Sequence, residues 1–357
     1  MTIAATSSPV SLGAEAALAS FQLELERSLA DLLVLPDEGA MDPRWSRAMV
    51  EVRAYTLRPA KRVRPTLLLA GWAMASGELV RGVPEGVKTF AAGLELLHTF
   101  MLIHDDVADR AETRRGGPSL HRTLATGKAG EDLAVVVGDH LYARAIEVML
   151  GSGMSHAAEA TRYMMAVCRH TAVGQYLDLD LARTPLQDVT IFQTLKVANL
   201  KTARYGFVAP LVVGAMLGGA DKALLEQLER VGRQVGMAFQ LSDDLIGLFG
   251  DDDVAGKAGG GDFVEGKRTF PVVAAWTRAD AQGRSQLEQL WHSAVRDAQA
   301  LASARGALEA WGGREATQRV IERMTRSARR TLQQLPSGSG ARVVLDGLMA
   351  RMVGRAR

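Results

Sequence analysis

Apolar residues recur at helical spacing along almost the whole chain, and this pattern constrains the fold more than any other feature. No stretch shows the strict alternation of a half-buried strand, and the breaks coincide with glycine and proline clusters. An aromatic content of only 5%, with abundant Ala, Leu, Met, Glu, Gln and Arg, also favours helices over sheets. We therefore predict a single large all-α domain. Its predicted helices cover residues 14–35, 45–55, 64–74, 87–107, 131–150, 157–178, 186–200, 203–217, 221–249, 269–277, 284–303 and 317–334.

Composition limits the class of protein. The 357 residues are 47% hydrophobic, which is enough to bury a large core. A formal charge of +2 gives no general argument for a nucleic acid partner or an anionic membrane. Cys168 is the only cysteine, which excludes an intramolecular disulfide framework and fits a reducing compartment. We expect a cytoplasmic protein without a nucleic acid partner.

The N-terminal residues Met1 to Ser20 are small and polar, without the basic and apolar regions of a signal peptide. We expect a flexible N-terminal arm over residues 1–20, followed by the helical domain over residues 21–357. No uninterrupted apolar run reaches the ~18 residues needed to span a bilayer. The nearest run, 207–220, is broken by Pro210 and several glycines. The sequence therefore predicts no transmembrane segment.

Two acidic clusters each follow an apolar run that should be buried. Asp105, Asp106 and Asp109 form the first cluster, and Asp243 and Asp244 form the second. Carboxylates four residues apart share a helix face, where they repel each other and lose solvation. Mg²⁺ takes a few carboxylates together with water and substrate phosphate oxygens. One such cluster is usually a solvated helix end, but two in the same context predict a metal-bridged diphosphate, held between facing helices across a central cavity.

Basic residues follow both clusters, as a diphosphate site requires: Arg110, Arg114 and Arg115 after the first, and Lys257, Lys267 and Arg268 after the second. The glycine-rich stretch 250–262 has neither the spacing of a P-loop nor the ligand pattern of a calcium loop. An ordinary surface loop would explain its glycines but not its charges. A loop that closes over a diphosphate explains both.

The chain resembles the trans-isoprenyl diphosphate synthases, and most closely the geranylgeranyl diphosphate synthases, from about Ala60 to Pro271. The motifs that carry the resemblance occur in the family's order: Lys61-Arg62-Val63-Arg64-Pro65, with Ala60 in place of the usual glycine; Glu95-Leu96-Leu97-His98; the first acidic cluster; Arg114-Arg115-Gly116-Gly117-Pro118; Lys201-Thr202; Phe239-Gln240 with the second cluster; and Gly266-Lys267-Arg268-Thr269. The resemblance implies the isoprenoid synthase fold, a helical bundle around a central substrate cavity. It also implies isoprenyl diphosphate substrates, three Mg²⁺ per site and a homodimer.

The resemblance also implies roles for individual residues. Asp105, Asp109 and Asp243 would ligate Mg²⁺, with Asp106 and Asp244 as further ligands or as partners of the ligands. Arg114, Lys201, Lys257 and Lys267 would hold the allylic diphosphate. Lys61, Arg64, His98 and Arg115 would hold isopentenyl diphosphate. Lys201, Thr202 and Gln240 would be catalytic, stabilising an allylic cation through carbonyl and hydroxyl dipoles.

The residues before the first cluster predict product length. Phe100 and Met101 lie five and four positions before Asp105, about one helical turn from the predicted metals. Ordinary core packing would also account for them. A lone aromatic residue at the fifth position resembles archaeal-type geranylgeranyl diphosphate synthases, which implies a C20 product; C15 and C25 products are the alternatives.

One position departs from the family pattern. Gly247 stands where the second cluster usually has a third aspartate, which is expected to affect metal affinity. Gly247→Asp should therefore lower the Mg²⁺ requirement, or leave it unchanged if Asp251 already compensates. Other classes are less consistent with the motifs. A class I terpene cyclase would lack the second cluster, a non-catalytic subunit would have lost Asp105 or Asp109, and a binding module would need neither cluster.

Overall fold

A computed structural model describes residues 9–34, 40–77, 79, 82–250, 261–293, 298–335 and 340–353. Helices account for nearly all of these ranges, which confirms the predicted all-α class. The α-helices are α1 Pro9–Leu32, α2 Pro43–Thr56, α3 Val63–Ser76, α4 Glu85–Ala108, α5 Leu120–Leu124, α6 Lys128–Leu150, α7 Ala157–Leu181, α8 Ile191–Val197, α9 Ala209–Leu217, α10 Lys222–Phe249, α11 Gly261–Val264, α12 Phe270–Arg278, α13 Ala281–Ser293, α14 Ala298–Ala310, α15 Gly313–Gln333 and α16 Ala341–Val353. A 3₁₀ turn covers Leu186–Asp188, and a π-helix covers Ala198–Val208. Strands β1 (Thr113–Arg114) and β2 (Gly117–Pro118) pair antiparallel.

The chain forms two compact units. The first comprises Met1–Tyr163, Pro210–Leu225 and Pro336–Leu345. Its central helix is α4, which packs against α1, α3 and α6 and is buried along most of its length. Within the described residues, α4 is the one helix long and apolar enough to cross a membrane, and 67% of that apolar window is buried inside the protein. Its apolar composition is therefore explained by its place in the core.

The second unit comprises Met164–Ala209, Glu226–Leu335 and Asp346–Arg357. Helix α12 packs against α8, α14 and α15, and its buried Phe270 and Ala274 share a core with Leu241 and Leu245 of α10. Helix α8 and the π-helix follow one another without a break. A side-chain and backbone capping box between Thr190 and Gln193 fixes the start of this long segment.

Several boundaries differ from those predicted. Residues 9–20 are helical rather than a loose arm, and Ala14 is fully buried, because α1 packs on α4. The helix predicted over 284–303 coincides with parts of α13 and α14, and residues 294–297 between them lie outside the described residues. Helix α16 and the short β1–β2 ladder were not predicted. The interpretation of residues 21–357 as a single domain stays a prediction.

Candidate active site

The first acidic cluster lies at the C-terminal end of α4. Asp109 caps the helix, and its backbone N–H donates to the Asp105 carbonyl oxygen at 2.8 Å. The Asp105 side chain is 29% exposed, and Asp109 is half-buried. The two residues are one turn apart on the same helix face. A helix C-terminus also carries a partial negative charge, so this end of α4 attracts cations.

Asp106 has a different environment from its neighbour. Its side chain is 1% exposed, and Oδ1 accepts hydrogen bonds from two nitrogens of Arg114, with Nε at 2.7 Å. Its Oδ2 accepts from the Tyr55 hydroxyl at 2.8 Å. Burial, together with the charge of Asp106, raises the pKa of Tyr55, so this hydroxyl stays protonated and donates. Both carboxylate oxygens of Asp106 thus accept hydrogen bonds from protein side chains. This arrangement favours a role for Asp106 in orienting Arg114 over a role as a metal ligand.

The β1–β2 hairpin carries the two arginines that follow the cluster. Arg58 fixes the hairpin by donating from Nη1 to the carbonyl oxygens of Arg114 at 2.9 Å and Pro118 at 2.7 Å. Arg115 has a φ of 51°, in the left-handed region that non-glycine residues rarely adopt. Such conformations persist where surrounding contacts fix them, often at functional sites. Here the contact is with the buried Glu95, at 3.5 Å from Arg115 Nη2.

A second left-handed arginine, Arg62, lies at the N-terminus of α3 with a φ of 43°. It is buried, and it donates to Glu26 and Glu95 at 2.7 Å each. Arg62 is therefore neutralised, and it positions Glu95 beside Arg115. The sequence signal for this pairing is Glu95 itself, because a glutamate inside the apolar run of α4 needs a buried partner.

Arg64 and His98 are in direct contact, with Arg64 Nη1 at 2.9 Å from His98 Nε2. A guanidinium only donates, so Nε2 accepts and His98 is neutral. Burial lowers the pKa of His98 well below its ordinary value, and the charges of Arg64 and Arg115 lower it further. The Nη1 of Arg115 is buried without a hydrogen-bond partner among the described residues. This cluster of cationic side chains around the neutral His98 fits an anionic ligand. The fourth predicted residue, Lys61, is exposed.

The second acidic cluster lies on α10, in the second unit. Asp244 is 7% exposed and accepts from Gln240 Nε2 at 2.7 Å, while Gln240 Oε1 accepts from the Thr202 hydroxyl. Burial raises the pKa of Asp243 to about 7, and the charge of Asp262 contributes. Burial and Asp262 also raise the pKa of Asp244. These carboxylates crowd one another, so a bound cation would relieve their repulsion.

The π-helix positions Lys201 and Thr202. Lys201 Nζ lies 2.6 Å from Asp178 Oδ2 of α7. Helix α10 approaches the π-helix closely, since a Cβ on Gly236 of α10 would stand 2.6 Å from Ala203 Cα. A π-helix often marks a functional position, and here it turns successive side chains toward Asp178 and Gln240. Lys267 Nζ pairs with Glu265 at 2.5 Å and lies 3.9 Å from Asp262. Lys257 and Asp251 lie outside the described residues.

The donor set fits Mg²⁺. Over the ranges that the structure describes, no three His, Cys, Asp or Glu side chains form a complete metal cage. Mg²⁺ does not need one, because it usually binds one or two carboxylates and keeps its waters and substrate phosphates as other ligands. The first unit offers carboxylates of this kind at the partly exposed Asp105 and Asp109, and the second unit offers one at the crowded Asp243.

The two predicted chain-length residues are half-buried on α4. Phe100 packs its ring against His104 at 4.6 Å and against Tyr142 of α6 at 5.0 Å between ring centroids. Met101, one turn before Asp105, shares the helix face of that carboxylate.

Comparison with known proteins decides the family. A sequence model described as polyprenyl synthetase matches residues 46–308. The chain belongs to the polyprenyl synthetase family. It is 35% identical over 276 residues to a short chain isoprenyl diphosphate synthase of Methanothermobacter thermautotrophicus, covering 77% of this chain and 80% of that protein. It is 33% identical to a geranylgeranyl diphosphate synthase of Mycobacterium tuberculosis over 75% of this chain and 73% of that one.

Structural comparison agrees with the sequence match. The crystal structure of geranylgeranyl pyrophosphate synthase from Corynebacterium glutamicum, complexed with isoprenyl diphosphate and magnesium, has a TM-score of 0.82 and 29% identity, covering 94% of this chain and 98% of that one. The chain therefore has the isoprenoid synthase fold and is a trans-prenyltransferase. Other relatives at 33% and 35% identity are farnesyl and geranylfarnesyl diphosphate synthases, so family membership leaves the product length open.

Proposed function

We propose that this trans-prenyltransferase condenses isopentenyl diphosphate with allylic diphosphates as far as geranylgeranyl diphosphate, the C20 product, with three Mg²⁺ per active site. The observation that carries the proposal is the contrast within the first cluster. Asp105 and Asp109 are exposed enough to meet a cation, while Asp106 is committed to Arg114 and Tyr55. A solvated helix end would not need a buried partner of this kind.

The isopentenyl diphosphate site is proposed at the cations of the first unit. Arg64 and Arg115 would bind the diphosphate, with the buried Nη1 of Arg115 gaining a partner. Neutral His98 can donate from Nδ1, since its Nε2 accepts from Arg64. Lys61 would add a mobile point charge from the surface. Arginine suits this site because its planar fork binds phosphate oxygens in pairs.

The allylic diphosphate is proposed to use both clusters. Mg²⁺, when bound, would neutralise the negative charge that develops on the departing diphosphate. Arg114, oriented by Asp106, and the lysines Lys201, Lys257 and Lys267 would bind the same group. As the allylic C–O bond breaks, Thr202 and Gln240 would stabilise the carbocation through their dipoles, because water is excluded. The C3=C4 double bond of isopentenyl diphosphate then attacks the cation, and a C2 proton leaves with the released diphosphate as the base.

Product length is proposed to depend on Phe100. Its ring is held between α4 and α6 by His104 and Tyr142, about 7.5 Å along the helix from Asp105. A growing tail that reaches this ring would stop there. Each buried methylene contributes ~0.8 kcal/mol, so a tail given more room would be retained strongly.

Chromatography of the products of wild type, Phe100→Ala and Met101→Ala tests the proposal. The wild type should yield C20, and Phe100→Ala should shift the products toward C25 and longer. Phe90→Leu is the matched control, because Phe90 is fully buried on the same helix, about 15 Å further from the cluster. If the wild type stops at C15, or if Phe100→Ala leaves the product unchanged, the assignment of Phe100 is wrong.

The assembly is proposed to be a cytoplasmic homodimer. Helix α6 exposes Leu133 and Val136, one turn apart, at 49% and 60%. A second copy of the chain would cover such side chains. Cys168 is a buried free cysteine, which fits a reducing compartment. Sedimentation of the wild type and of Val136→Lys, which should shift the protein toward monomer, tests the dimer.

A further inference from the structure

Gly247 takes the place of the third aspartate of the second motif, and the space beside it is filled. A Cβ built on Gly247 would stand 2.7 Å from Cγ and Oδ2 of Asp262 and 2.9 Å from its Oδ1. No side chain fits there while Asp262 keeps its position. Gly247 therefore leaves the space that the Asp262 carboxylate occupies, and any side chain at residue 247 would have to displace that carboxylate.

Asp262 belongs to α11, fifteen residues further along the chain, and its side chain is 15% exposed. Gly247 lies one helical turn after Asp243, so the Asp262 carboxylate that fills the space beside Gly247 lies on the helix face that carries Asp243. Lys267 Nζ lies 3.9 Å away from Asp262 Oδ1, but Lys267 is held more closely by Glu265, at 2.5 Å. The Asp262 carboxylate thus lies beside the second motif, with Lys267 as a nearby cation.

We infer that Asp262 supplies, from α11, the carboxylate that the second motif lacks at residue 247. The inference rests on the proposed function, in which Asp243 binds Mg²⁺. Because Mg²⁺ keeps much of its water, the Asp262 carboxylate can act on the ion directly or through a bound water. This inference revises the prediction from the sequence that Gly247→Asp would ease the Mg²⁺ requirement. With Asp262 in place, the new carboxylate collides with it.

The experiment measures binding rather than turnover. Thermal shift is recorded for each variant in EDTA and in a Mg²⁺ titration with fixed inorganic pyrophosphate at pH 8. Asp262→Ala should raise the Mg²⁺ concentration for half-maximal stabilisation by about tenfold, as expected for loss of a group that supports a metal ligand. In EDTA, the same variant should melt at a higher temperature than wild type, because one of the crowded charges has been removed. A residue that only supports the fold would lower the melting temperature.

A swap of the carboxylate makes the test specific. Gly247→Asp alone should lower the melting temperature in EDTA, since its side chain has no room. The double variant Gly247→Asp/Asp262→Ala should recover both the melting temperature and the wild-type Mg²⁺ midpoint. Glu265→Gln is the matched control, because it removes a carboxylate from Lys267 without changing the surroundings of Gly247. Asp262→Asn, which keeps the shape of the side chain, is measured in case Asp262→Ala does not fold.

The outcomes separate this inference from the function on which it depends. If the wild type gains no stability from Mg²⁺ with pyrophosphate, the proposed function fails, and the inference fails with it. If the wild type responds and the Asp262 variants match it, only the inference is wrong. It is also wrong if the double variant is worse than both single variants, or if Glu265→Gln raises the Mg²⁺ midpoint as much as Asp262→Ala does. Recovery in the double variant confirms it.

Discussion

Substitution by asparagine should have different effects at Asp105 and at Asp106. At Asp106 it should mainly lower the stability of the fold, and at Asp105 it should mainly lower the condensation rate. Asp106 accepts from two nitrogens of Arg114 and from the Tyr55 hydroxyl. Breaking a buried ion pair from one side costs about 3–5 kcal/mol. Arg114 is 21% exposed and keeps Asp105 at 3.9 Å, so we expect a smaller cost, about 2–3 kcal/mol, for Asp106→Asn. That cost lowers the ratio of folded to unfolded protein roughly 30-fold or more.

Asp105→Asn changes a side chain that is 29% exposed and lies 3.9 Å from Arg114 Nη2. Its stability should change by less than about 1 kcal/mol. Its condensation rate should fall roughly a hundredfold or more, because a charge that stabilises the departing diphosphate is lost. Asp106→Asn should instead raise the KM for the allylic diphosphate, since Arg114 loses its orientation.

Urea denaturation in EDTA and initial rates with saturating Mg²⁺ measure the two effects separately. The account of the first cluster is refuted if Asp106→Asn keeps the wild-type urea midpoint. It is also refuted if Asp105→Asn retains near wild-type turnover. A variant with Tyr55→Phe provides a check on the first result. It should lose about 1–2 kcal/mol, because it removes one hydrogen bond to a buried carboxylate.

Three further predictions follow from other parts of the site. Because the folded-state pKa of Asp243, about 7, lies above its ordinary value of 3.8, this group stabilises the metal-free protein at low pH, and the contribution is lost as pH rises through 7. In EDTA, the difference between the melting temperatures of the wild type and Asp243→Asn (wild type minus variant) should thus fall from pH 4 to pH 8. A rise in this difference would contradict the burial of this charge. Arg115→Ala should raise the KM for isopentenyl diphosphate by at least about tenfold, the loss expected for a charge-assisted hydrogen bond, and an unchanged KM would remove Arg115 from that site. Thr202→Val breaks the hydrogen bond to Gln240 and should lower kcat while both KM values stay near wild type, so a purely KM effect would argue against a role in cation stabilisation.

The helices could be predicted from the sequence because their apolar faces repeat with the period of the α-helix. The π-helix over 198–208 could not, since its change of hydrogen-bond register leaves the side-chain pattern almost unaltered. The β1–β2 ladder is only two residues long on each side, too short for a visible alternation.

Candidate site residues could be predicted where motif and chemistry coincide, but contacts between residues distant in sequence could not. The run of basic residues gave no means to distinguish exposed Lys61 from buried Arg62, which is paired with Glu26 and Glu95. The sequence left open whether Asp106 was a ligand or a partner, because Tyr55 lies 51 residues before it. The contact between Asp262 and Gly247 likewise depends on tertiary packing, and no local sequence pattern predicts it.

The central claim is that both acidic clusters serve one Mg²⁺-dependent condensation. The direct measurement is the rate of condensation of isopentenyl diphosphate with a C5, C10 or C15 allylic diphosphate, as a function of Mg²⁺ concentration, for wild type, Asp105→Ala, Asp243→Ala and the double variant. We predict that EDTA abolishes the wild-type rate and that each single variant loses roughly a thousandfold. The double variant should be little worse than the poorer single one, because the groups act as a unit. Near wild-type turnover by either single variant, or a wild-type rate that does not depend on Mg²⁺, would contradict the claim.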